Sequence, residues 1–132
     1  MPTSKEFDRL LSTYPPDVQS LAEAAHDLIV ATLPKIEITY DNSANVVGFG
    51  FGPGYKGLIC TIILSRKGVK IGIFRGSELE DPNGLLRGSG KVHRYVELTA
   101  LSDLKKPGVR PLLKAALASW KQRSKAASKP KK

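Results

Sequence analysis

Cysteine, histidine and long apolar runs are the scarce features of this sequence. Cys60 is its single cysteine, so no disulfide can form within the chain. The thiol sits in the run Leu58-Ile59-Cys60-Thr61-Ile62-Ile63 and reads as a small core side chain, not a nucleophile. A lone cysteine so placed suits a reducing compartment. His26 and His93 are the only histidines, and with Cys60 they give no spacing for a closed zinc site. No stretch approaches the ~20 apolar residues needed to span a bilayer. The opening Met1-Pro2-Thr3-Ser4-Lys5-Glu6 lacks the basic-then-apolar layout of a secretion signal. These absences set a cytoplasmic protein as the expectation.

Signatures of catalysis are missing too. The chain has no G-x-S-x-G elbow and no H-E-x-x-H pair. An acid–base pair of His93 with Glu97 stays open, because alternate strand residues share a face, here with Tyr95 between them. Exposed pairs of that kind are usually structural. Glu23, His26 and Asp27 stand at i, i+3 and i+4, a spacing that brings helix side chains together. His26, however, borders an apolar stripe, and its two neighbours suit a solvated surface. The expectation is therefore no metal site and no cofactor.

What the chain does contain is an ordinary globular mixture: 132 residues, 41% apolar and 25% charged, enough for one domain. Its net charge of +9 is unevenly placed. Residues 1–120 hold 15 basic and 12 acidic side chains, a net +3. The last twelve residues add Lys121, Arg123, Lys125, Lys129, Lys131 and Lys132 with no acid. A Lys/Ala/Ser/Pro segment of this kind buries little apolar surface, so 121–132 reads as a basic, disordered tail on a 1–120 domain. It solubilises the chain or touches nucleic acid without sequence preference.

Along the body, Glu6 to Tyr14 predicts a short helix with Phe7, Leu10 and Leu11 on one side. Pro15-Pro16 interrupts it, and Pro16 suits the first position of a second helix. There Val18, Leu21, Ala22, Ala25, Leu28, Ile29 and Leu33 recur at helical spacing, the strongest periodicity in the sequence. Strands are expected at Ile36 to Tyr40, Val46 to Phe51, Gly57 to Ser65, Val69 to Arg75 and Val92 to Leu98, with a tight turn at Lys67-Gly68. The third is apolar on both faces and reads as the central strand. Residues 76–91 read as a loop with a short helical turn at Gly84 to Arg87. A last helix, from about Pro107 or Pro111 to Lys125, carries Val109, Leu112, Leu113, Ala116, Leu117 and Trp120 as its stripe. The order α-α-β-β-β-β-β-α argues for an α+β fold: an antiparallel sheet of about five strands with two N-terminal helices and one C-terminal helix packed on it.

Two glycine clusters invite a ligand. Gly52 to Gly57 spells a formal G-x-G-x-x-G, but a strand follows it where a dinucleotide site needs a helix. That row reads as a loosened strand and turn, or as a groove floor where a ligand passes close to the backbone. The stronger candidate is the 84–94 loop. Gly88 and Gly90 permit positive φ and can aim successive amides at one point, with Ser89 between them. Arg87, Lys91 and Arg94 supply cations, and His93 a group that titrates near neutral pH. Strand alternation puts Arg94 on the side of Val96 and Leu98. If those two face the core, Arg94 must escape at the strand end or pair with a buried acid. The competing reading is a plain structural turn with solvated cations.

The strand-and-loop motifs Ile73-Phe74-Arg75-Gly76-Ser77-Glu78-Leu79, Asp81-Pro82-Asn83-Gly84-Leu85-Leu86, Gly88-Ser89-Gly90-Lys91 and His93-Arg94-Tyr95-Val96 resemble the YdhG-like family, a bacterial domain-of-unknown-function family. The helix Leu21 to Pro34 followed by Ile38-Thr39-Tyr40 is similar to the family's opening, so the likeness runs from about residue 14 to 120. It implies a frataxin-like arrangement, two helices over an antiparallel sheet, in a small cytoplasmic protein with no established catalytic activity. Some members have been discussed as iron-handling proteins, and similar small folds as nucleic-acid or partner binders. The acidic ridge that frataxins use for iron is thin here.

Together these readings predict a small non-enzymatic binding protein. Its anion site is Arg87, Gly88, Ser89, Gly90, Lys91, His93 and Arg94, and its ligand a small anion or an acidic partner. Iron handling is the alternative, and an enzyme of unknown type the third. Because no apolar periodicity follows Trp120, truncation after Lys125 is expected to leave the thermal midpoint nearly unchanged while weakening retention on a polyanion column. A large fall in midpoint on truncation would show that the segment docks on the body.

Overall fold

Helix α2, Pro16–Thr32, shows most directly how the sequence becomes a layer. Pro16 opens it where a missing N–H costs nothing. Val18, Leu21, Ala22, Ala25, His26 and Ile29 then turn one buried face inward. The Leu33 amide donates to the Ile29 carbonyl at 2.8 Å and closes the last turn. Before it, α1, Lys5–Leu11, buries Phe7, Leu10 and Leu11. The computed structural model describes residues 5–33, 35–41, 45–51, 57–76, 79, 84–88, 94–106 and 108–128. Among them no helix is long and apolar enough to cross a membrane.

Six strands follow, β1 Glu37–Asp41, β2 Val46–Gly50, β3 Leu58–Ser65, β4 Gly68–Ile73, β5 Leu86–Arg87 and β6 Arg94–Leu98. They form one sheet in the order β1-β2-β3-β4-β6-β5, with every neighbouring pair antiparallel. A 3₁₀ turn, Leu101–Lys105, leads into α3, Val109–Ser128. The protein is thus α+β, with three α-helices and an antiparallel sheet among the described residues. The sheet has six strands where the pattern suggests about five. The added strand is β5: Leu86 and Arg87 pair with Val96 and Tyr95, so the expected helical turn at Gly84 to Arg87 does not form; Gly84 has a φ of +63° and the last two residues of the segment are extended. A two-residue edge strand leaves no periodicity to read. The hairpin between β3 and β4 turns on Arg66-Lys67, with Gly68 already paired to Ser65, one residue earlier than expected. Helix α3 keeps its backbone helical to Ser128, past the expected Lys125.

The burial pattern gives the sheet two unlike faces. Val47, Phe49, Ile62, Leu64, Val69, Ile71, Ile73, Val96 and Leu98 join the helical stripes, including Leu112, Leu113 and Ala116 of α3, in one core. Strand β3 is central, but only one of its faces is fully buried: Ile62 is 0% exposed and Ile63 37%. One irregularity adjusts it. Phe49 faces Cys60 while Gly50 faces Leu58, so Ile59 is an extra residue with no counterpart on β2. Ile59 and Cys60 are both buried. The bulge turns two successive side chains toward the helices and leaves Leu58 on the same side as Thr61 and Ile63.

Polar groups in this frame serve packing. Phe7 stacks on His26 with ring centroids 4.7 Å apart, and His26 Nε2 lies 3.3 Å from the Tyr40 hydroxyl. His26 is therefore a core residue, while Glu23 and Asp27 are exposed. Cys60 is fully buried, and loss of solvation pushes its thiol far above the ordinary range, as a core role requires. Asp103 fixes the turn before α3. Its Oδ2 accepts from the Thr99 amide at 2.8 Å, the Ala100 amide at 3.1 Å and the Thr99 hydroxyl at 3.2 Å, and Lys106 Nζ lies 3.2 Å from Oδ1. The Thr99 amide, with further help from Lys106 and the Ala100 amide, lowers this carboxyl from 3.8 to about 2.

Two stability measurements check this description. Ile62→Ala is expected to cost about 2–5 kcal/mol in denaturant unfolding by opening a cavity. Ile63→Ala, one residue on but half in solvent, is expected to cost less than about 1 kcal/mol. Equal losses at both sites would mean that both faces of β3 are covered. The lowered Asp103 pKa means that the folded state binds a proton there less readily than the unfolded chain. Its stabilising contribution is complete above about pH 4 and lost as pH falls toward about 2. Asp103→Asn is expected to flatten that part of the pH–stability curve; an unaltered curve would assign the acid sensitivity elsewhere.

Candidate functional site

The face of the sheet turned away from the helices carries a row of small and polar residues. Thr39 pairs with Gly48, Gly48 with Thr61, Thr61 with Gly72, Gly72 with Tyr95, and Tyr95 with Arg87. One residue from each of the six strands therefore lines up across the sheet as Thr-Gly-Thr-Gly-Tyr-Arg. At the two glycines the backbone is bare. A methyl group added to Gly72 would meet Thr61 Oγ1 at 2.5 Å, and one added to Gly48 would lie 3.3 Å from Leu58 Cδ1. Both glycines thus leave room that neighbouring side chains lean into.

Around Gly72 this bareness becomes a groove of about 260 Å³, walled by Leu58, Thr61, Ile63, Phe74, Arg94 and Tyr95. Its surface is mainly apolar, and Thr61, Tyr95 and Arg94 are the residues of its lining that carry polar side-chain groups. The bulge at Ile59 matters here, because it brings Leu58 to this side. Tyr95 is held from the opposite edge by Lys70, whose Nζ stands 4.5 Å from the ring centroid. Lys70 is also paired in register with Glu97. Two cations therefore border Tyr95 and the groove, with Arg87 opposite Tyr95 on the edge strand.

The loop expected to hold an anion is reached from the same place. Gly88 adopts a φ of +108°, the left-handed region expected of it, and Tyr95 Cε2 lies 3.1 Å from where its Cβ would be. A side chain at 88 would press on that ring, which would have to give by a few tenths of an ångström. Arg94 does reach out at the strand end, one of the two routes foreseen. Val96 and Leu98 are buried, and Arg94, at the start of β6, sends Nη1 to the Gly88 carbonyl at 2.9 Å. The structure thus brings together Arg87, Gly88 and Arg94, the first exposed and the last half-buried. Ser89, Gly90, Lys91 and His93 lie outside the described residues, and with His93 the proposed pair with Glu97. The bond from Arg94 also gives the turn a structural job, since it ties the edge strand's end to β6.

Sequence reasoning missed the groove. Its one visible signal was Gly72, a glycine in the middle of an otherwise apolar strand, which commonly marks a close approach of backbone or ligand. The glycine row at 48–57 contributed Gly48 to the open face; Gly52 and Gly54 lie outside the described residues. Among the described residues no three His, Cys, Asp or Glu side chains come together in a way that would hold a metal. Comparison with protein families, curated proteins and solved structures finds no match.

Proposed function

We propose that this chain is a small non-enzymatic binding protein whose open sheet face receives a phosphorylated small molecule. The observation that carries the reading is the bare Gly72 backbone set between Thr61, Ile63 and Tyr95, with Arg94 at the groove's border and Arg87 across from Tyr95. The apolar body of a ligand lies along Leu58 and Ile63. Its anionic group reaches the Arg87–Gly88–Arg94 corner, where guanidinium groups suit phosphate oxygens. A volume of about 260 Å³ suits a metabolite-sized ligand better than a macromolecular surface. The order of helices and strands supports kinship with the YdhG-like family and its frataxin-like arrangement, and the same reading takes the protein to be cytoplasmic.

Titration of the full chain with inorganic phosphate, a sugar phosphate and a nucleoside monophosphate, followed by amide shifts, tests this. The two organic phosphates are expected to move Thr61, Gly72 and Tyr95. A charge-assisted contact with a desolvated phosphate is worth about 1.5–3 kcal/mol, so Arg87→Ala is expected to weaken binding roughly tenfold or more. Ile63→Glu, at an exposed position, is expected to abolish it by repulsion without loss of fold. Shifts that map away from β3, β4 and β6, or binding indifferent to both substitutions, would overturn the reading.

A further inference from the structure

Among the described residues two large apolar side chains stand exposed, Ile63 and Leu101, the latter at 52%. Ile63 belongs to the open-face groove. Leu101 belongs to a second and larger one of about 720 Å³ on the helical side of the molecule. One wall is the outer surface of α2, where Ala24, Leu28 and Ala31 follow at i, i+4 and i+7, with the exposed Asp27 beside them, its carboxylate 3.5 Å from His26 Nδ1. They span ~10 Å of helix axis. The other wall is the 3₁₀ turn with Leu101 and Leu104, continued by Lys105, Lys106 and Arg110. Asp103 holds this wall in place through the Thr99 and Ala100 amides.

Positive charge is in excess along that second wall. Lys106 is paired with Asp103, whereas Lys105 and Arg110 make no ion pair among the described residues. The first turn of α3 contains no acid, so Arg110 stands beside the positive end of the helix dipole. Beyond Asp103 the sequence has ten basic residues and no acidic one. An apolar strip edged by uncompensated cations needs an occupant that offers apolar side chains and carboxylates together. The chain's own C-terminal segment has the wrong sign. A second copy, also at +9, is repelled. A small anion would leave Leu101 and Leu28 in water.

We propose that this groove docks an acidic amphipathic helix of a partner protein. Apolar side chains spaced i, i+4 and i+7 seat against Leu28, Leu101 and Leu104, and flanking carboxylates meet Lys105 and Arg110. The inference uses none of the residues of the open-face groove, so either can fail alone.

The probe is a displayed library of 16-residue peptides selected on the full-length protein, with Leu101→Asp protein as the counter-selection. The basic C-terminal segment is identical in both, so peptides that bind it are removed. The survivors are expected to share apolar residues at helical spacing and an excess of Asp and Glu. A synthesised survivor is expected to shift amides of residues 24–31 and 101–110. Its binding is expected to weaken at least tenfold both in Leu101→Asp and in Arg110→Glu, with circular dichroism unchanged. Replacing the peptide's acids by lysines is expected to restore binding to Arg110→Glu relative to the original chain. Survivors without acidic enrichment, shifts confined to the open sheet face, or equal binding to Arg110→Glu would overturn the proposal. Self-association of the protein that Leu101→Asp abolishes would also overturn it, by giving the groove to a second copy.

Discussion

Strand β3 must satisfy two unlike surroundings at once, and the rest of the molecule is arranged around that demand. It sits inside the sheet, paired to β2 on one side and β4 on the other, so its backbone polar groups are satisfied by its neighbours. Its side chains then sort by face. Ile59, Cys60, Ile62 and Leu64 enter the helical core, while Leu58, Thr61 and Ile63 do not. A regular strand alternates strictly and cannot place 59 and 60 on one side. The bulge opposite Phe49 and Gly50 does so.

That single extra residue has consequences on both faces. On the inside it adds a side chain to a core already filled by Phe7, Phe49, Ile29 and Leu113. On the outside it delivers Leu58 to the end of the row Gly48, Thr61, Gly72 and Tyr95. Among the described residues the three helices lie on one side, and the opposite side of the sheet is left to its own side chains. The two glycines of the row decline to cover it. The groove therefore follows from one-sided packing combined with small residues in the middle strands, and the cations at its border come from β6 and the edge strand.

The helical layer leaves its own opening. Helix α2 turns its buried stripe to the sheet, and Ala24, Leu28 and Ala31 follow on its flank. The 3₁₀ turn, held by Asp103, sets Leu101 across from them without closing the gap. Here too the shape comes from local chemistry: a carboxylate that accepts from two amides and holds the turn that precedes α3.

Much of this was legible in the residues. The 3.6-residue stripe of α2, the Pro16 start and the apolar runs of β3, β4 and β6 follow from periodicities that are local and repeated. The positive φ at Gly88 and the difficulty of Arg94 were readable as well, because both arise from a few adjacent residues. Strand β5 was not, since two residues carry no period, and the bulge was not, since it exists only relative to β2. The grooves lay further out of reach. Thr61, Gly72 and Tyr95 come together through pairings across the sheet, and Leu28 and Leu101 through the packing of a turn against a helix. The sequence by itself determined which side chains had to leave water and in what period, which is enough for the layers. Only the tertiary structure decided which small and charged residues would share the surface left over, because strand register and helix placement set distances that no local spacing encodes.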